Sequence, residues 1–394
     1  MGHTKANPVR ATAKRAMPSY YEFFAGGGMV RAGLGQGWKC LLANDIDPAK
    51  AASYQKNWGA GAFRLGDIAA LKPADLPGRA DLAWGSFPCQ DLSLAGLGAG
   101  LAGARSGTFH AFWSLMRGLI AEGRGPRLIA LENVCGTLTS HGGRDLAVIA
   151  ERFAGAGYRL GALVIDAAWF RPQSRPRLFL IGVGTGTAID PALLAEGPSE
   201  PFHPPALARA VRDWSVAPLW WRLPVPPPHG IALADVVEDG PWDAPEKTAR
   251  LLRLMSGPNL QKVEAARRSG ERMIGTVYRR TRRDAGGARI QRAEARFDGI
   301  AGCLRTPAGG SSRQLLMAVE GETVRSRLLS PRETARLMGL ADDYRLPASA
   351  NEAWHLTGDG VVVDAVRHLA THLFEPLLAG PAVASAGRRG LVEA

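Results

Sequence analysis

The sequence predicts an α/β fold in which a parallel β-sheet is covered by helices on both faces. Short apolar runs alternate with amphipathic segments from residue 19 to about residue 184, which is the pattern of βαβ units. The first apolar run leads directly into a glycine-rich turn. Several later runs end in a carboxylate or a thiol, and the carboxyl ends of parallel strands are where such folds place ligands.

The individual strands and helices follow from apolar periodicity and from turn residues. Amphipathic segments at residues 109–122 and 145–156 are predicted to be helices. Ser330, with Pro331 and Glu333 after it, predicts a capped helix that runs to Met338 and ends at Gly339. A last helix is expected over about residues 361–373. The predicted strands span residues 20–24, 39–44, 81–84, 128–132, 160–166 and 178–183.

Charge and composition divide the rest of the chain. Residues 1–18 are predicted to be a flexible basic arm, without the apolar segment of a secretory signal. Residues 185–245 are rich in Pro and Trp, which indicates irregular linker or surface structure. Residues 251–292 hold eleven Lys or Arg and three Asp or Glu, a net charge of +8 in a chain of net charge +12. A solvated face is the ordinary explanation of such a run, but the density of arginines at residues 279–283 favours phosphate contacts.

The cysteines and the hydropathy exclude several classes of protein. The four cysteines lie far apart, without a CxxC pair or a His/Cys cluster, so neither a metal site nor a disulfide framework is expected. That usage fits a reducing compartment and predicts a cytoplasmic protein. No run approaches 18 apolar residues, so no membrane span is expected.

Three motifs suggest chemistry. Cys89 follows the apolar run 81–84, with Pro88 directly before it; a lone cysteine is more often a buried, inert residue. Glu132 ends a predicted strand in an apolar setting, where burial suits a carboxyl group to hold a proton near neutral pH, although a structural hydrogen bond is the alternative. Arg175 and Arg177, two apart on an extended segment, are predicted to point the same way and hold one anionic or carbonyl group; a solvated pair is the alternative.

The glycine-rich turn at residues 24–28 and two later acids suggest an adenosine cofactor. Glycine lets a backbone approach a ligand closely, and a helix N-terminus favours negative charge. Asp45, about twenty residues on at the end of the next strand, is placed to bond ribose hydroxyls. Asp67 ends the following segment and could accept from an adenine amino group. Taken singly, each of these is an ordinary loop residue.

The motifs at residues 24–28, 85–93, 131–136 and 173–177, in this order, resemble those of the cytosine-5 DNA methyltransferases of bacterial and phage type. The resemblance covers about residues 19–183 and 327–373. It implies the S-adenosylmethionine-dependent, Rossmann-like, doubly wound α/β sheet with a smaller inserted DNA-recognition domain, and no metal. The domains expected are a catalytic and cofactor-binding domain at 19–184, a target-recognition domain at 185–326, and a hinge and C-terminal segment at 327–394 that completes the catalytic domain.

The resemblance also implies roles for particular residues. Cys89 is the nucleophile, and Glu132 contacts ring nitrogen 3 and the exocyclic amine of the target cytosine. Arg175 lies near the base and the catalytic loop, supported by Arg177 and Gln173. The Gly- and Ala-rich residues 95–107 suit a mobile segment that closes over a flipped base. The residues expected at the cofactor are Phe24, Ala25, Gly26, Gly28, Asp45, Ile46, Asp67, Ile68, Pro88 and Asp359. Those expected at DNA are Gln90, Ser93, Arg279, Arg280, Arg282, Arg283, Thr306 and Arg313.

The sequence departs from the family pattern at Asp359, where Asn is usual after Gly358. Asp keeps the size and one acceptor but replaces an amide donor with a charge, which affects a cofactor-side or hinge contact. The partners implied are double-stranded DNA and a cognate restriction endonuclease, for a monomeric protein. Two alternatives are an RNA cytosine-5 methyltransferase on the same scaffold and a catalytically inactive DNA-binding protein.

Overall fold

A seven-stranded sheet forms the centre of the computed structural model, which describes residues 16–87, 107–284, 286–307 and 313–381. Its strands are β1 Ser19–Phe23, β2 Lys39–Asp45, β3 Phe63–Leu65, β4 Leu82–Gly85, β5 Leu128–Val134, β6 Tyr158–Asp166 and β7 Pro176–Gly184. They lie in the order β3-β2-β1-β4-β5-β7-β6. The chain moves outward from β1 in both directions, so the sheet has a switch point between β1 and β4, where open α/β sheets bind ligands.

The prediction of an all-parallel sheet is wrong at one strand. β7 runs antiparallel to both of its neighbours, β5 and β6. Only residues 167–175 connect β6 to β7, whereas a parallel crossover needs roughly a dozen residues or more. The two strands therefore form a hairpin, and β7 is inserted beside β5.

Helices cover both faces of this sheet, which confirms the predicted layers. Alternate residues of the central strands enter two separate cores, with Tyr20 and Trp84 on one face and Tyr21 and Ala83 on the other. The helices are α1 Met29–Leu34, α2 Pro48–Trp58, α3 Gly107–Ala121, α4 Arg144–Gly155, α5 Pro205–Ala210, α6 Leu233–Val236, α7 Pro245–Arg253, α8 Gly257–Arg268, α9 Pro331–Leu337, α10 Ala350–Asp359, α11 Val363–Leu369 and α12 Glu375–Ala379. No helix in these described ranges is long and apolar enough to cross a membrane.

The predicted capped start of the helix at Ser330 is confirmed. The Ser330 hydroxyl accepts from the Glu333 amide at 3.1 Å, and the Glu333 carboxylate accepts from the Ser330 amide at 2.7 Å, which is the predicted capping box. The last helix extends farther than predicted, because a π-helical turn at Ala370–Phe374 joins α11 to α12. α11 packs on α1, since Gly33 has no side chain where a Cβ would lie 2.5 Å from that of Val366.

The Pro- and Trp-rich segment is largely irregular, as its composition indicated, but several of its apolar side chains are anchored in the core. Trp221 is fully buried, and Leu223, Leu233 and Val236 belong to the same core as the central sheet. The Trp221 indole lies against Gly161 of β6, where a Cβ would be 2.4 Å from the ring nitrogen. Large indole rings gain much by leaving water, and here they cover the β6 edge of the sheet.

A second sheet follows in the basic part of the chain. It is antiparallel, in the order β11-β10-β8-β9, with β8 Met273–Arg283, β9 Arg289–Arg296, β10 Leu315–Glu320 and β11 Thr323–Leu328. One face packs Val277, Ala293 and Met317 against Leu251 of α7 and Val263 of α8. The other face is turned toward the turn that joins β6 to β7, across a cleft.

Candidate active site

The carboxyl ends of β4 and β5 are joined by one side chain. Asn133 of β5 donates from Nδ2 to the main-chain oxygen of Phe87 at 3.1 Å, and its Oδ1 accepts from the Val134 amide and the Thr137 hydroxyl. Phe87 is the last described residue before a gap at 88–106. Pro88, Cys89, Gln90 and Ser93, and residues 95–106 of the predicted closing segment, therefore lie outside the described residues.

Glu132 is buried at the end of β5 and forms an ion pair with Arg177 of β7. The Arg177 Nε lies 3.1 Å from the Glu132 Oε1, and the side chains are only 13% and 7% exposed. A buried pair of this kind fixes both side chains, because either charge alone would be costly to keep out of water. The pair presents a carboxylate and a guanidinium one residue from the Asn133–Phe87 contact.

Arg175 is buried and contacts three main-chain oxygens. Its two terminal nitrogens donate to the main-chain oxygens of Leu304 at 2.7 Å, Gly358 at 2.9 Å and Gly360 at 2.6 Å. Burial, together with the neighbouring Arg177 charge, lowers the pKa of Arg175 to about 10. Arg177 is thus the arginine paired with Glu132, and Arg175 joins main-chain segments. Arg175 and Arg177 therefore have different main partners, although both guanidinium groups also lie near the Cys303 sulfur.

Gln173 and Cys303 complete this part of the site. Gln173 is fully buried; its Nε2 donates to the Leu337 oxygen at 2.8 Å, and its Oε1 accepts from the Leu304 amide at 3.1 Å. The Cys303 sulfur lies 3.4 Å from Nη1 of Arg175 and 3.9 Å from Nη1 of Arg177. Sequence reasoning missed this position of Cys303, since no local pattern connects residues 126 or more positions apart.

The glycine-rich turn is shaped by Asp45. The Asp45 carboxylate accepts from the Gly26 amide at 2.8 Å and from the Asp47 amide at 2.9 Å. Phe24, directly after β1, has a left-handed φ of 59°, a conformation that is strained for a bulky residue and is found at functional sites. Asp45 therefore fixes the turn and the start of α2 together.

The edge beside this turn fits an adenosine group. Ile46 is 64% exposed, so it offers an apolar surface directly after Asp45. Asp67 is exposed, whereas Ile68 is buried beneath it. Gly26 has no atom within 4 Å of where a Cβ would lie, so the turn is open on that side.

Two aromatic residues that sequence reasoning missed brace the turn. Trp58 of α2 donates from Nε1 to the Gly27 oxygen at 3.0 Å, and the Tyr344 hydroxyl donates to the same oxygen at 2.8 Å. Trp58 also occupies the space that a Cβ at Gly28 would need. Tyr344 lies more than 300 positions away in the sequence, so only the folded chain reveals its contact.

Asp359, predicted at the cofactor, joins two other parts of the chain. Its Oδ2 accepts from the Lys50 ammonium at 2.7 Å, and its Oδ1 accepts from the Thr306 hydroxyl at 2.5 Å. Burial alone would raise the pKa of Asp359, but Lys50 and Thr306 together hold that pKa below its usual range. The charge that replaces the usual Asn therefore has its own counter-ion.

The predicted DNA-binding arginines lie on both sides of the second sheet. Side chains alternate along β8. Arg280 and Arg282 therefore lie on the same face as Tyr278, which lines the cleft. Arg279 and Arg283 lie on the opposite face, with Val277. Glu294 of β9 pairs with Arg280 at 3.2 Å and also with Arg282. The cleft is lined by Ser174, Pro176, Lys262, Thr276, Tyr278, Arg280, Glu294, Ala295, Arg296, Gly302, Cys303 and Arg305.

Arg313 and Arg283 have partners within the chain. Arg313 donates from Nη2 to Asn351 Oδ1 at 2.7 Å, and its guanidinium lies 4.8 Å from the centre of the Trp354 ring. Arg283 donates to the Gly287 oxygen at 3.1 Å.

Within the described ranges, no group of three or more His, Cys, Asp or Glu side chains is placed to hold a metal ion.

The buried carboxyl group of Glu22, on β1, is expected to make the free energy of unfolding depend on pH. The side chain is fully buried, and neither carboxylate oxygen has a hydrogen-bond partner among the described residues. Burial, with a smaller contribution from Asp45, raises its pKa to about 8. The folded protein thus keeps a proton that the unfolded chain releases above its ordinary pKa, so this residue costs stability progressively as pH rises toward 8.

We expect Glu22→Gln to raise the Tm by roughly 2–4 °C at pH 8.5 and by much less at pH 5. Thermal unfolding without cofactor at both pH values measures the effect. Glu151→Gln, at an exposed position of α4, is the matched control. An equal gain at both pH values would show that Glu22 is not protonated in the folded protein.

The sequence matches a known protein family. A family model described as C-5 cytosine-specific DNA methylase matches residues 19–375. The type II methyltransferase M.NlaX of Neisseria lactamica is 28% identical over 356 residues, which are 89% of this chain and 95% of that protein. M.NgoFVII of Neisseria gonorrhoeae is 27% identical over 363 residues, 90% of this chain and 85% of that one.

Solved structures show the same fold. The S. pombe Dnmt2 methyltransferase superposes with a TM-score of 0.56 at 17% identity, over 91% of this chain and 99% of that one. This likeness confirms the methyltransferase fold that the motifs implied. Because the family model covers nearly the whole chain, the protein belongs to the C-5 cytosine-specific DNA methylase family and is a DNA (cytosine-5-)-methyltransferase that depends on S-adenosylmethionine.

Proposed function

We propose that this enzyme methylates a cytosine within a specific sequence of double-stranded DNA, with the base flipped out of the helix and joined covalently to Cys89 during the reaction. The observation that carries the proposal is the buried Glu132–Arg177 pair. It lies one residue from the Asn133–Phe87 contact, and Cys89 follows Phe87 by two residues. Carbon 6 of a stacked cytosine is out of reach, and flipping the base costs a few kcal/mol.

We assign the cofactor to the edge beside the glycine turn. When bound, S-adenosylmethionine supplies an electrophilic methyl group on sulfur. Asp45 accepts from the ribose hydroxyls, Asp67 accepts from the adenine amino group, and Ile46 packs against the adenine ring. The backbone of the turn and the first residues after it contact the rest of the molecule. The contacting residues proposed there are Phe24, Ala25, Gly26, Gly28, Ile68 and Pro88, with Asp359 acting from the side of α10.

The chain's own residues then perform nucleophilic catalysis. The Cys89 thiolate adds to carbon 6 of cytosine, which makes carbon 5 nucleophilic. One Glu132 oxygen accepts from the exocyclic amine, and the other shares a proton with ring nitrogen 3, which stabilises the negative charge that the addition places on that nitrogen. Carbon 5 takes the methyl group as the bond from methyl to sulfur breaks. A base then removes the carbon 5 proton, the double bond re-forms and the thiolate leaves.

Arg177 and Arg175 have different roles in this reaction. Arg177 holds Glu132 in position through the ion pair, and its charge favours an anionic group beside it. Arg175 and Gln173 hold the segment at Leu304 against the turn between β6 and β7. We therefore place Arg177 nearest the base, and we treat Arg175 and Gln173 as residues that position the site.

Residues 185–326 are proposed to include the target-recognition domain, with DNA bound in the cleft beside the second sheet. Arg280 lines this cleft and Arg282 lies on the same face of β8, so both suit phosphate contacts. The remaining DNA contacts proposed are Arg279, Arg283, Thr306, Arg313, Gln90 and Ser93. We also propose that the enzyme acts as a cytoplasmic monomer and has a cognate restriction endonuclease, which its similarity to type II methyltransferases supports.

Methyl transfer from labelled cofactor to DNA and to tRNA, assayed side by side, tests the substrate. We expect label in DNA only; label in tRNA alone would favour the RNA enzyme. Bisulfite sequencing of DNA from a host that expresses the protein then tests specificity. Methylated cytosines that share no sequence context would refute the specific recognition proposed for residues 185–326.

A further inference from the structure

Three distant parts of the chain meet at the turn between α10 and α11. A Cβ at Gly358 would lie 2.6 Å from the main chain of Arg305 and Thr306. A Cβ at Gly360 would lie 2.3 Å from the Met29 sulfur, at the start of α1. On one side, the main chain at Gly358 lies against the main chain of Arg305 and Thr306. On the other side, Gly360 lies against the Met29 side chain of α1.

Asp359, between these two glycines, bonds both sides. Lys50 belongs to α2, which begins directly after the cofactor-side residues and is capped by Asp47. Thr306 belongs to the segment that also carries Arg305 of the cleft lining. The Lys50 side chain is 19% exposed and that of Asp359 is 40% exposed, so the pair is partly shielded from water.

An Asn at this position could still form hydrogen bonds but would carry no charge. Its amide oxygen could accept from the Thr306 hydroxyl, but it would offer no charge to Lys50. The mostly buried Lys50 ammonium would then lose its counter-ion, which raises the cost of keeping it there. Lys50 and Asp359 therefore depend on each other, and Thr306 depends on Asp359.

We propose that Lys50, Asp359 and Thr306 form a clasp that holds the DNA-facing segment at the cofactor site, so that cofactor and DNA bind cooperatively. The inference rests on the proposed function, because it takes the Thr306 segment to contact DNA. The coupling does not depend on any direct contact that Asp359 or Thr306 makes with a ligand: within the clasp, the three side chains bond one another and act as positioning residues, through α2 and through the segment they hold. Coupling of this kind is reciprocal, so each ligand tightens binding of the other by the same factor.

The test measures binding, separately from methyl transfer. The dissociation constant of S-adenosylhomocysteine is determined with and without a DNA duplex. The duplex carries the site found by bisulfite sequencing or, if no site is found, a mixed sequence. For the parent protein we expect DNA to tighten cofactor binding. Partly exposed ion pairs contribute modestly, so Asp359→Asn, Lys50→Met and Thr306→Val should each reduce that tightening by roughly two- to fivefold. The pair Lys50→Met/Asp359→Asn should be no worse than either single change.

Two controls separate the clasp from a general structural effect. Thr306→Ser keeps the hydroxyl and should restore the coupling that Thr306→Val loses. Lys247→Met removes an exposed ion pair with Asp243, far along the sequence from the clasp, and should leave the coupling unchanged. Unchanged coupling in both Asp359→Asn and Thr306→Val, or additive effects of Lys50→Met and Asp359→Asn, would overturn the proposal. Absent methyl transfer by the parent protein would instead refute the proposed function.

Discussion

Replacing Cys89 with serine is expected to lower the rate of methyl transfer to DNA by at least about 10³-fold. A serine hydroxyl is almost never ionised near neutral pH, so it cannot add to carbon 6 at a useful rate without a dedicated base. The same change should abolish the covalent complex with DNA that carries 5-fluorocytosine, in which no proton is available for removal from carbon 5. Gel analysis after denaturation measures that complex directly.

Cys135 provides the matched control, because it is a second thiol close to Glu132 in the sequence. Burial raises the pKa of the Cys135 thiol to about 11, so this thiol stays protonated and is a poor nucleophile. Cys135→Ser should therefore keep the covalent complex. Loss of the complex in Cys135→Ser, together with its survival in Cys89→Ser, would transfer the nucleophile's role to Cys135.

Features with a local cause could be predicted from the sequence. Amphipathic periodicity indicated α3 and α4 to within two residues at each end. The order of Ser330, Pro331 and Glu333 indicated the capped start of α9. The direction of β7 could not be read in this way, since each strand of a pair has the same apolar pattern whether it runs parallel or antiparallel.

The tryptophan segment shows how composition misleads when tertiary packing decides the structure. Proline removes main-chain donors and favours irregular backbone, and that part of the expectation fits the few regular elements there. The exposure predicted from it was wrong, because Trp221 fills the space left by Gly161 on β6. Neither residue indicates the other within its own stretch of sequence.

The different main partners of Arg175 and Arg177 have a similar cause, which lies in the folded chain. Their i, i+2 spacing puts side chains on one face only if both residues lie in one extended strand. β7 begins at Pro176, so Arg177 lies in the strand opposite Val134, and Arg175 lies in the turn before it. The Arg175 amide donates to Asp166 Oδ1 at 2.6 Å, and its side chain turns toward Leu304 and Gly358.

Arg175→Lys and Arg177→Lys are therefore expected to fail in different ways. A lysine ammonium is a compact charge without the planar fork of arginine, so at position 175 it cannot reach the oxygens of Leu304, Gly358 and Gly360 together. Each buried oxygen left without a donor costs about 1–3 kcal/mol. We expect Arg175→Lys to lower the free energy of unfolding by roughly 2–4 kcal/mol, measured by urea denaturation.

Lysine at position 177 keeps the charge beside Glu132 but loses the arginine geometry that orients the carboxylate. We expect Arg177→Lys to lower kcat by about 10- to 100-fold, and to lower the free energy of unfolding by less than Arg175→Lys does, because the charge beside Glu132 is kept. Both kcat and the free energy of unfolding are measured for both variants. If Arg175→Lys lost kcat at unchanged stability and Arg177→Lys did not, Arg175 would be the arginine at the base, as its place in the motif first implied. The opposite result would support the roles proposed here. Arg177 would orient Glu132 toward the base that Cys89 attacks, and Arg175 would hold the surrounding main chain.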